Sequence, residues 1–452
     1  MRARRIRASR FIACAAALAA VVAALALPAS AQGSKEQPEA TEVGITEDEI
    51  RIAVIADDEN PLAPGLFHGS PVAVEAFAKY INNSCKPKNT CLAGRELVVD
   101  FIDSHLSADD ARNAVITACS EDFALVGTIA LFLNNVDDMV GCVDKAGAAT
   151  GIPDLAAIMT EVVQQCSPIS FGINPGQIDC STKDQHPQTF RANQGPVKYY
   201  QREIEKDLHG AFVYSNDLKS AAVGGLTLAR GAQAGGVKPD TETGISARAP
   251  QSAFTPVVQQ MKDAQSNYAL NSGPFSAMVA LRKEAKLQGI NLDDVVWDCF
   301  SNCYDERFIE QGGADAEGQY VTLTALPFNE KKHNKALANY IKFAGADNVD
   351  GFGTYAWLGG LLFRDSVNAI VKRDGVNGLT RAALLEQLEN THAFDGDGMW
   401  GTTDIGNHVP SACFMLTQVQ DGEFKRVHPK KPGTFDCKKS NRIEIEEDLL
   451  GA

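Results

Sequence analysis

The chain repeats a strand–loop–helix unit, and this alternation restricts the fold more than any other feature. Ile50 to Ala56 (IRIAVIA) is a continuous apolar run, which is typical of a strand buried on both faces of a parallel sheet. Ser70-Pro71 favours the start of a helix running to about Asn82, because serine caps helices and proline suits their first turn.

The same unit recurs along the chain in two series. The first continues with strand 96–103, a helix 108–120 capped by Ser107, strand 123–127 and helix 135–148. The second contains strand 210–216, helices 221–234 and 255–264, strand 268–271, helix 276–287 and strand 294–298. We therefore predict an α/β fold of two doubly wound parallel sheets, that is, two Rossmann-like lobes. Such sheets bind ligands at the loops that follow the carboxyl ends of their strands.

Residues 1–31 read as a cleavable secretory signal. Five arginines precede an apolar run, Phe11 to Leu27, and the small residues Pro28-Ala29-Ser30-Ala31 follow it. A membrane anchor is the alternative, but the run is alanine-rich and falls short of the roughly 20 strongly apolar residues that a spanning helix needs. A lipid anchor on Cys14 is disfavoured because that cysteine lies inside the run. We expect a periplasmic or extracellular protein with a disordered leader over residues 32–47.

The charge balance argues against two classes of partner. Five of the 42 basic residues lie in the signal and none of the 57 acidic ones, so the remaining chain carries a net charge of −20. Such acidity argues against nucleic acid and anionic lipid. We expect a monomer that binds a small molecule.

Ten of the 11 cysteines follow the signal, and an even number in an exported chain favours disulfides. The alternative, a zinc site, lacks a Cys-x-x-Cys pair or clustered histidines, so we expect no metal and no cofactor. Pairing the cysteines as neighbours in sequence predicts five bridges: Cys85–Cys91, Cys119–Cys142, Cys166–Cys180, Cys299–Cys303 and Cys413–Cys437.

Several segments in this order resemble the type I periplasmic binding proteins, in particular the Leu/Ile/Val-binding branch of ABC-transporter receptors. They are IRIAVIA with the helix ending in YIN (residues 80–82), ALVGT (124–128), FRANQGPVKYY (190–200) and GTYAWLGGLLFRDSVNAI (353–370). The resemblance implies a receptor that performs no chemistry, closes on a small ligand and docks on a membrane ABC permease.

The resemblance also implies a hinge of three crossovers. We place them near Phe190–Asn193, Leu326–Asn329 and Phe394–Gly398. Lobe I then comprises residues 48–190 and 328–394, lobe II comprises 191–327 and 395–440, and residues 441–452 are a tail.

The expected ligand cradle departs from that branch. Its members hold the ligand carboxylate with serine and threonine hydroxyls, whereas here the loops read Thr128-Ile-Ala-Leu131-Phe132 and Asp154-Leu155-Ala-Ala-Ile. The acidic residue that meets an ammonium in that branch is replaced by Ser301, and Asp298 is the alternative for this role. A buried ammonium without a carboxylate is costly, so we expect a bulkier or more apolar ligand, unless our alignment of these loops is shifted by a residue or two.

Further candidate ligand residues follow other strands or line the expected wall. They are Asn60, Phe67, Tyr214, Asn216, Ser272, Phe275 and Tyr355, which join Thr128, Leu131, Phe132, Leu155, Asp298 and Ser301. For the phenylalanines, core packing is an equal alternative.

Three function classes remain open, and we rank a transport receptor above a sensing module and an exported enzyme. The acidic residues Asp57, Asp58 and Glu59 are the best enzyme-like group, since paired carboxylates can act as acid and base.

Overall fold

A computed structural model describes residues 37–59, 65, 67–83, 85, 91–204 and 207–451. The predicted signal and the candidate ligand residue Asn60 lie outside these residues. The strands are β1 (Glu49–Ala56), β2 (Glu96–Asp103), β3 (Ala124–Val126), β4 (Asp154–Leu155), β5 (Gln188–Asn193), β6 (His209–Ser215), β7 (Lys238–Ile245), β8 (Tyr268–Asn271), β9 (Val296–Cys299), β10 (Tyr320–Leu323), β11 (Met415–Gln420), β12 (Glu423–His428) and β13 (Arg442–Glu447).

The helices alternate with the strands through most of the chain. They are α1 (Gly69–Asn83), α2 (Ala108–Glu121), α3 (Val136–Val140), α4 (Val162–Gln165), α5 (Gly195–Ile204), α6 (Lys219–Ala234), α7 (Thr255–Ala264), α8 (Phe275–Leu287), α9 (Glu306–Gly312), α10 (Lys335–Ala344), α11 (Gly351–Asp374) and α12 (Arg381–Glu389). Ser107 caps α2 as predicted, since its side chain accepts a hydrogen bond from the Asp110 amide.

Lobe I is built on a parallel sheet with strand order β2-β1-β3-β4. Alternate residues of β1 face opposite sides, so Ile52 and Val54 pack in a cluster with Phe77 of α1 and Trp357 of α11. Ala53 and Ile55, which alternate with them, pack in a second cluster that includes Val115 of α2. Both faces are covered, which explains the continuous apolar run.

Lobe II is built on a seven-stranded sheet with order β12-β11-β10-β9-β8-β6-β7. The strands from β7 to β10 are parallel, and β11 and β12 are antiparallel to their neighbours. Helices α5 and α6 cover one face, and α7 and α8 cover the other. The α/β fold with parallel-sheet lobes is therefore confirmed.

All five predicted disulfides are present. The Cys119–Cys142 bridge joins the last turn of α2 to the residues just after α3, and its Cα atoms are 5.5 Å apart. Sequence neighbours pair because each bridge closes a local loop between adjacent elements.

Three local predictions differ from the structure. The predicted helix 135–148 is shorter, because α3 ends before Gly141 and a turn follows in which Gly147 has a positive φ of 86°. The predicted helix cap Ser70 lies inside α1, and its hydroxyl donates to the Gly127 carbonyl. The tail 441–452 contains β13, which pairs with β5.

The leader is ordered where the structure describes it, over residues 37–47. Glu42 is buried, and its carboxylate accepts hydrogen bonds from the backbone amides of Lys145 and Arg381. The Thr41 hydroxyl donates to the carbonyl of Leu379. These partners are distant in sequence, so they leave no local signal, and the polar composition of the leader alone predicted disorder.

Across the described ranges, no helix combines the length and the apolar character that crossing a membrane requires.

Candidate functional site

The loops after β1, β2 and β3 are tied together by one buried carboxylate. Asp57 is fully buried; its Oδ1 accepts from the Ser104 hydroxyl at 2.7 Å and the Leu106 amide at 2.9 Å, and its Oδ2 accepts from the Leu131 amide at 2.7 Å. With three donors in place, this carboxylate is occupied in holding the loops. The neighbouring Asp58 pairs with His68, so the consecutive acidic residues point to different partners rather than facing each other.

A cavity of about 270 Å³ lies between the segment after β4 of lobe I, strand β5 and the first turns of α6 of lobe II. Its volume is close to the lower limit of small-molecule sites. Its lining residues are Thr160, Glu161, Val162, Gln165, Gln177, Ile178, Phe190, Lys219, Ser220, Val223, Gly224 and Leu450.

One wall of the cavity is apolar. Ile178, Phe190 and Val223 belong to a single hydrophobic cluster, and the half-buried Tyr214 packs against it. The lining also includes polar groups, among them the amides of Gln165 and Gln177. The cavity can therefore accept a molecule with an apolar body and polar ends.

Two opposite charges line this cavity without being paired to each other. Glu161 comes from lobe I and Lys219 from the first turn of α6. Within the described part of the chain, neither side chain forms an ion pair or a hydrogen bond. The cap residue Leu218 provides no side-chain hydrogen bond to α6, so the amino end of this 16-residue helix adds partial positive charge beside Lys219.

The segment that supplies Glu161 and Gln165 is held by two fixed contacts. Cys166 follows α4 and is bridged to Cys180, with Cα atoms 5.4 Å apart. Gln164 donates to the buried carboxyl group of Asp154 at the start of β4, at 3.0 Å. Burial raises the pKa of Asp154 to about 6. Short helix α4 is thus attached both to the lobe I sheet and to the short 3-10 helix Cys180–Thr182 that precedes β5.

A second contact between the lobes lies away from the cavity lining and involves two hydroxyl groups. The hydroxyl groups of Ser301, after β9, and Tyr355, in α11, are 2.8 Å apart. Beside them is a space of only about 10 Å³, lined also by Tyr304 and Thr354, which is about the volume of one water position. In this region the two lobes are in direct contact.

A sequence model of the family described as periplasmic binding protein matches residues 49–423, which is more than four-fifths of the chain. The chain belongs to the periplasmic binding protein family. A search of curated protein sequences found no match.

Solved structures of similar fold cover most of this binding protein. A fatty acid ABC transporter substrate-binding protein from Thermomonospora curvata is 12% identical with a TM-score of 0.66, over 88% of this chain and 95% of that one. An R. palustris solute binding protein in complex with 4-hydroxybenzoate is 12% identical with a TM-score of 0.61, over 84% and 96%. A leucine binding protein from Thermotoga maritima is 14% identical with a TM-score of 0.58, over 84% and 97%. At these identities the likeness concerns the fold.

The structure brings only some of the predicted ligand residues near the cavity. Tyr214 and Ser272 lie together against Gly225 of α6, where an added methyl group would be 2.5 Å from each. Ser301 and Tyr355 meet in the second contact described above. Asn216 is exposed beside Gly244 of β7.

Other predicted ligand residues serve the packing of this binding protein. Phe67 is buried edge-to-face against Phe352, with ring centroids 4.9 Å apart. Phe275 lies under the guanidinium group of Arg307. Thr128 and Leu155 are fully buried, whereas Leu131 and Phe132 are half-buried in the loop after β3. None of these six residues lines the cavity.

Asp298 has partners other than the predicted ammonium. It is 2% exposed, and its two oxygens accept hydrogen bonds from the hydroxyls of Tyr200 at 2.9 Å and Tyr268 at 2.8 Å. Burial raises the pKa of Asp298 to about 7. Because Tyr200 belongs to α5, the side chain faces the helices that cover the sheet, and Asp298 does not line the cavity.

The cavity residues that the sequence predictions missed come from four parts of the chain: the connection after β4, strand β5, the first turns of α6 and Leu450. Glu161 and Gln165 lie on a connection without regular pattern, and Lys219 begins α6 two residues before the predicted start. The one signal that could have found them was the predicted Cys166–Cys180 bridge, since it brings the segments around Gln165 and Ile178 together.

One group of side chains in the described ranges could hold a metal ion. Ligand atoms of Glu59, Asp103 and His105 lie within 4.8 Å of one another. Glu59 and His105 are exposed, and the Asp103 carboxylate already accepts hydrogen bonds from three backbone amides. These residues do not line the cavity, and we assign them no role.

Proposed function

We propose that this protein is an exported solute receptor of an ABC importer, which captures a small amphoteric molecule in the cavity beside β5 and delivers it to a membrane permease as a monomer. The observation that carries the proposal is the pair of unpaired opposite charges, Glu161 and Lys219, on two walls of one cavity. A ligand with a cationic and an anionic end pairs with both charges, whereas a neutral apolar ligand pairs with neither and covers the half-buried Glu161 without a partner.

The residues that line the cavity determine the orientation of the ligand in this proposal. The anionic end lies at Lys219 and the amino end of α6, where both the ammonium and the helix amides favour negative charge. The cationic end lies at Glu161. The apolar body contacts Ile178, Phe190 and the Tyr214 edge of their cluster. Lobe I contributes little to binding an anion, since Thr128 is buried and the loop residues after it are apolar.

A thermal-shift panel with matched compounds tests this proposal. The panel contains leucine, other amino acids, ω-amino acids from 4-aminobutyrate to 8-aminooctanoate, simple amines, 4-hydroxybenzoate and short fatty acids. A ligand that binds the folded state raises the melting temperature by linkage. We expect the amphoteric compounds to raise it and compounds with a single charge to act weakly.

The roles of the two charged residues are tested by the variants Glu161→Gln and Lys219→Gln. Each removes one charged partner, and we expect the dissociation constant of a stabilising compound to rise about ten- to a hundredfold. Matched controls are Glu310→Gln and Lys238→Gln, two exposed residues outside the cavity lining. Unchanged affinity in both cavity variants would contradict the assignment of the site, and strong binding of a neutral or singly charged compound would contradict the ligand class.

A further inference from the structure

The carboxyl-terminal part of the chain lies outside the family match, which ends at residue 423. It begins with β12, which pairs with β11, and the Cys413–Cys437 disulfide then holds it to the segment before β11. From there it runs to β13, and every residue of β13 pairs with β5, from Arg442 opposite Asn193 to Glu447 opposite Gln188. Chain beyond the family match is thus folded onto a strand that lines the cavity.

Strand β5 is the connection from the lobe I sheet to α5 and β6 of lobe II. One of its edges is already occupied: the Arg191 amide donates to the Gln177 carbonyl at 2.6 Å, and the Asp179 amide donates to the Thr189 carbonyl at 2.8 Å. The other edge is covered by β13. An extended connection between lobes is therefore paired on both sides, which limits how freely it can bend.

Side chains also fasten this segment to lobe II. The carboxylate of Glu447 accepts from Arg230 of α6 through both oxygens, at 2.7 and 3.0 Å. Arg230 also pairs with Glu242 of β7. The hydrogen bond to Glu447, together with the contact to Glu242, raises the pKa of the Arg230 guanidinium. The guanidinium therefore stays charged at any physiological pH and can hold the Glu447 carboxylate through both oxygens.

The segment ends in two leucines at the cavity. Leu449 is 3% exposed and packs with Ile178, Phe190 and Val223. Leu450 is one of the residues that line the cavity. An isobutyl group from outside the family match therefore forms part of the wall that faces any ligand.

We propose that the segment Arg442–Leu450, which we call the carboxyl-terminal strap, has two roles: β13 braces the crossover strand β5, and Leu450 limits the length of the ligand. The second role rests on the proposed function. The strap therefore makes ligand selection in this protein depend on residues that lie beyond the family match.

Hydrogen–deuterium exchange of the full-length protein tests the brace without any ligand. Ile445→Pro removes an amide from β13 opposite Phe190, and proline disrupts a ladder. We expect peptides covering residues 188–193 to exchange at least about tenfold faster. Glu447→Gln, which weakens the bond to Arg230 and leaves the strand intact, should accelerate the same peptides about fivefold. Glu446→Gln is the control, since its side chain is exposed and forms no ion pair within the described part of the chain. Equal exchange in all four proteins would overturn the brace.

The length limit is tested with the ω-amino acids of the thermal-shift panel. Leu450→Ala opens the wall, so we expect the preferred chain to lengthen, with an affinity gain of about fourfold for each further methylene group that is buried. Leu287→Ala, at a side chain that is 74% exposed, is the control. An unchanged length preference in Leu450→Ala would overturn this role. If no compound stabilises the wild type, the proposed function and the length limit fail together, while the exchange experiment still decides the brace.

Discussion

Replacing Asp298 by asparagine should remove part of the pH dependence of folding. The carboxyl group is buried between β9 and α5, and this burial raises its pKa from 3.8 to about 7 in spite of the two tyrosine hydroxyls that favour the charged form. The folded state then binds a proton that the unfolded state has released. The free energy of unfolding therefore falls as the pH rises from about 4 to 7.

The size of the effect follows from that shift. A difference of about three pKa units corresponds to about 4 kcal/mol once Asp298 is ionised in both states. Most of it accumulates below pH 7, and between pH 5 and 7 the wild type should lose about 2 kcal/mol relative to Asp298→Asn. The amide can still accept from one of Tyr200 and Tyr268 and donate to the other, so the variant keeps its packing.

Urea unfolding at pH 5, 6, 7 and 8, with the disulfides intact, measures this difference. The difference between the proteins is the informative quantity, because burial also raises the pKa of Asp154 to about 6 and of Asp122 to about 8, and these groups act equally in both. Asp263→Asn, at an exposed position, is the control. A difference that stays constant within about 0.5 kcal/mol from pH 5 to 7 would refute the reasoning.

Two further predictions concern stability. Arg381 is fully buried and donates to the carbonyls of Cys119, Asp122 and Val143, so Arg381→Met should lower the free energy of unfolding by about 3 kcal/mol or more by leaving these acceptors unpaired; a loss below about 1 kcal/mol in urea unfolding would contradict this. Replacing both Cys166 and Cys180 by serine opens a loop with a sequence separation of 14 and should cost about 3 kcal/mol. It should also weaken any ligand of the cavity, and an unchanged thermal shift would separate the bridge from the site.

The strands and their neighbours were predictable because their signals are local. Helix 255–264 and strand 268–271 match α7 and β8 in full, since a proline near the first turn and a short apolar run mark them. The five disulfides followed from the same locality. The failed helix at 135–148 shows the limit: Gly141 and the turn at Gly147 interrupt a segment whose composition alone allows a longer helix.

The ligand residues were less predictable because direction is decided by tertiary contacts. Asp298 and Ser301 follow each other closely in sequence, yet one faces the tyrosines under the helices and the other meets Tyr355 across the lobes. Side chains alternate along a strand, so an error of one residue in the register exchanges an interior position for a ligand position. The sequence alone, without the tertiary contacts of the fold, does not determine that register.

The cavity itself depends on the two parts of the chain that do not repeat the strand–loop–helix unit. The connection 156–187 after β4 supplies Glu161, Gln165 and Ile178, and the carboxyl-terminal strap supplies Leu450. We expect ligands to bind beyond the carboxyl ends of the parallel strands, and in our proposal residues of the connection and the strap set the charges and the length of the cavity. The chemistry of the ligand of this protein should accordingly be sought in the connection and the strap rather than in the sheets.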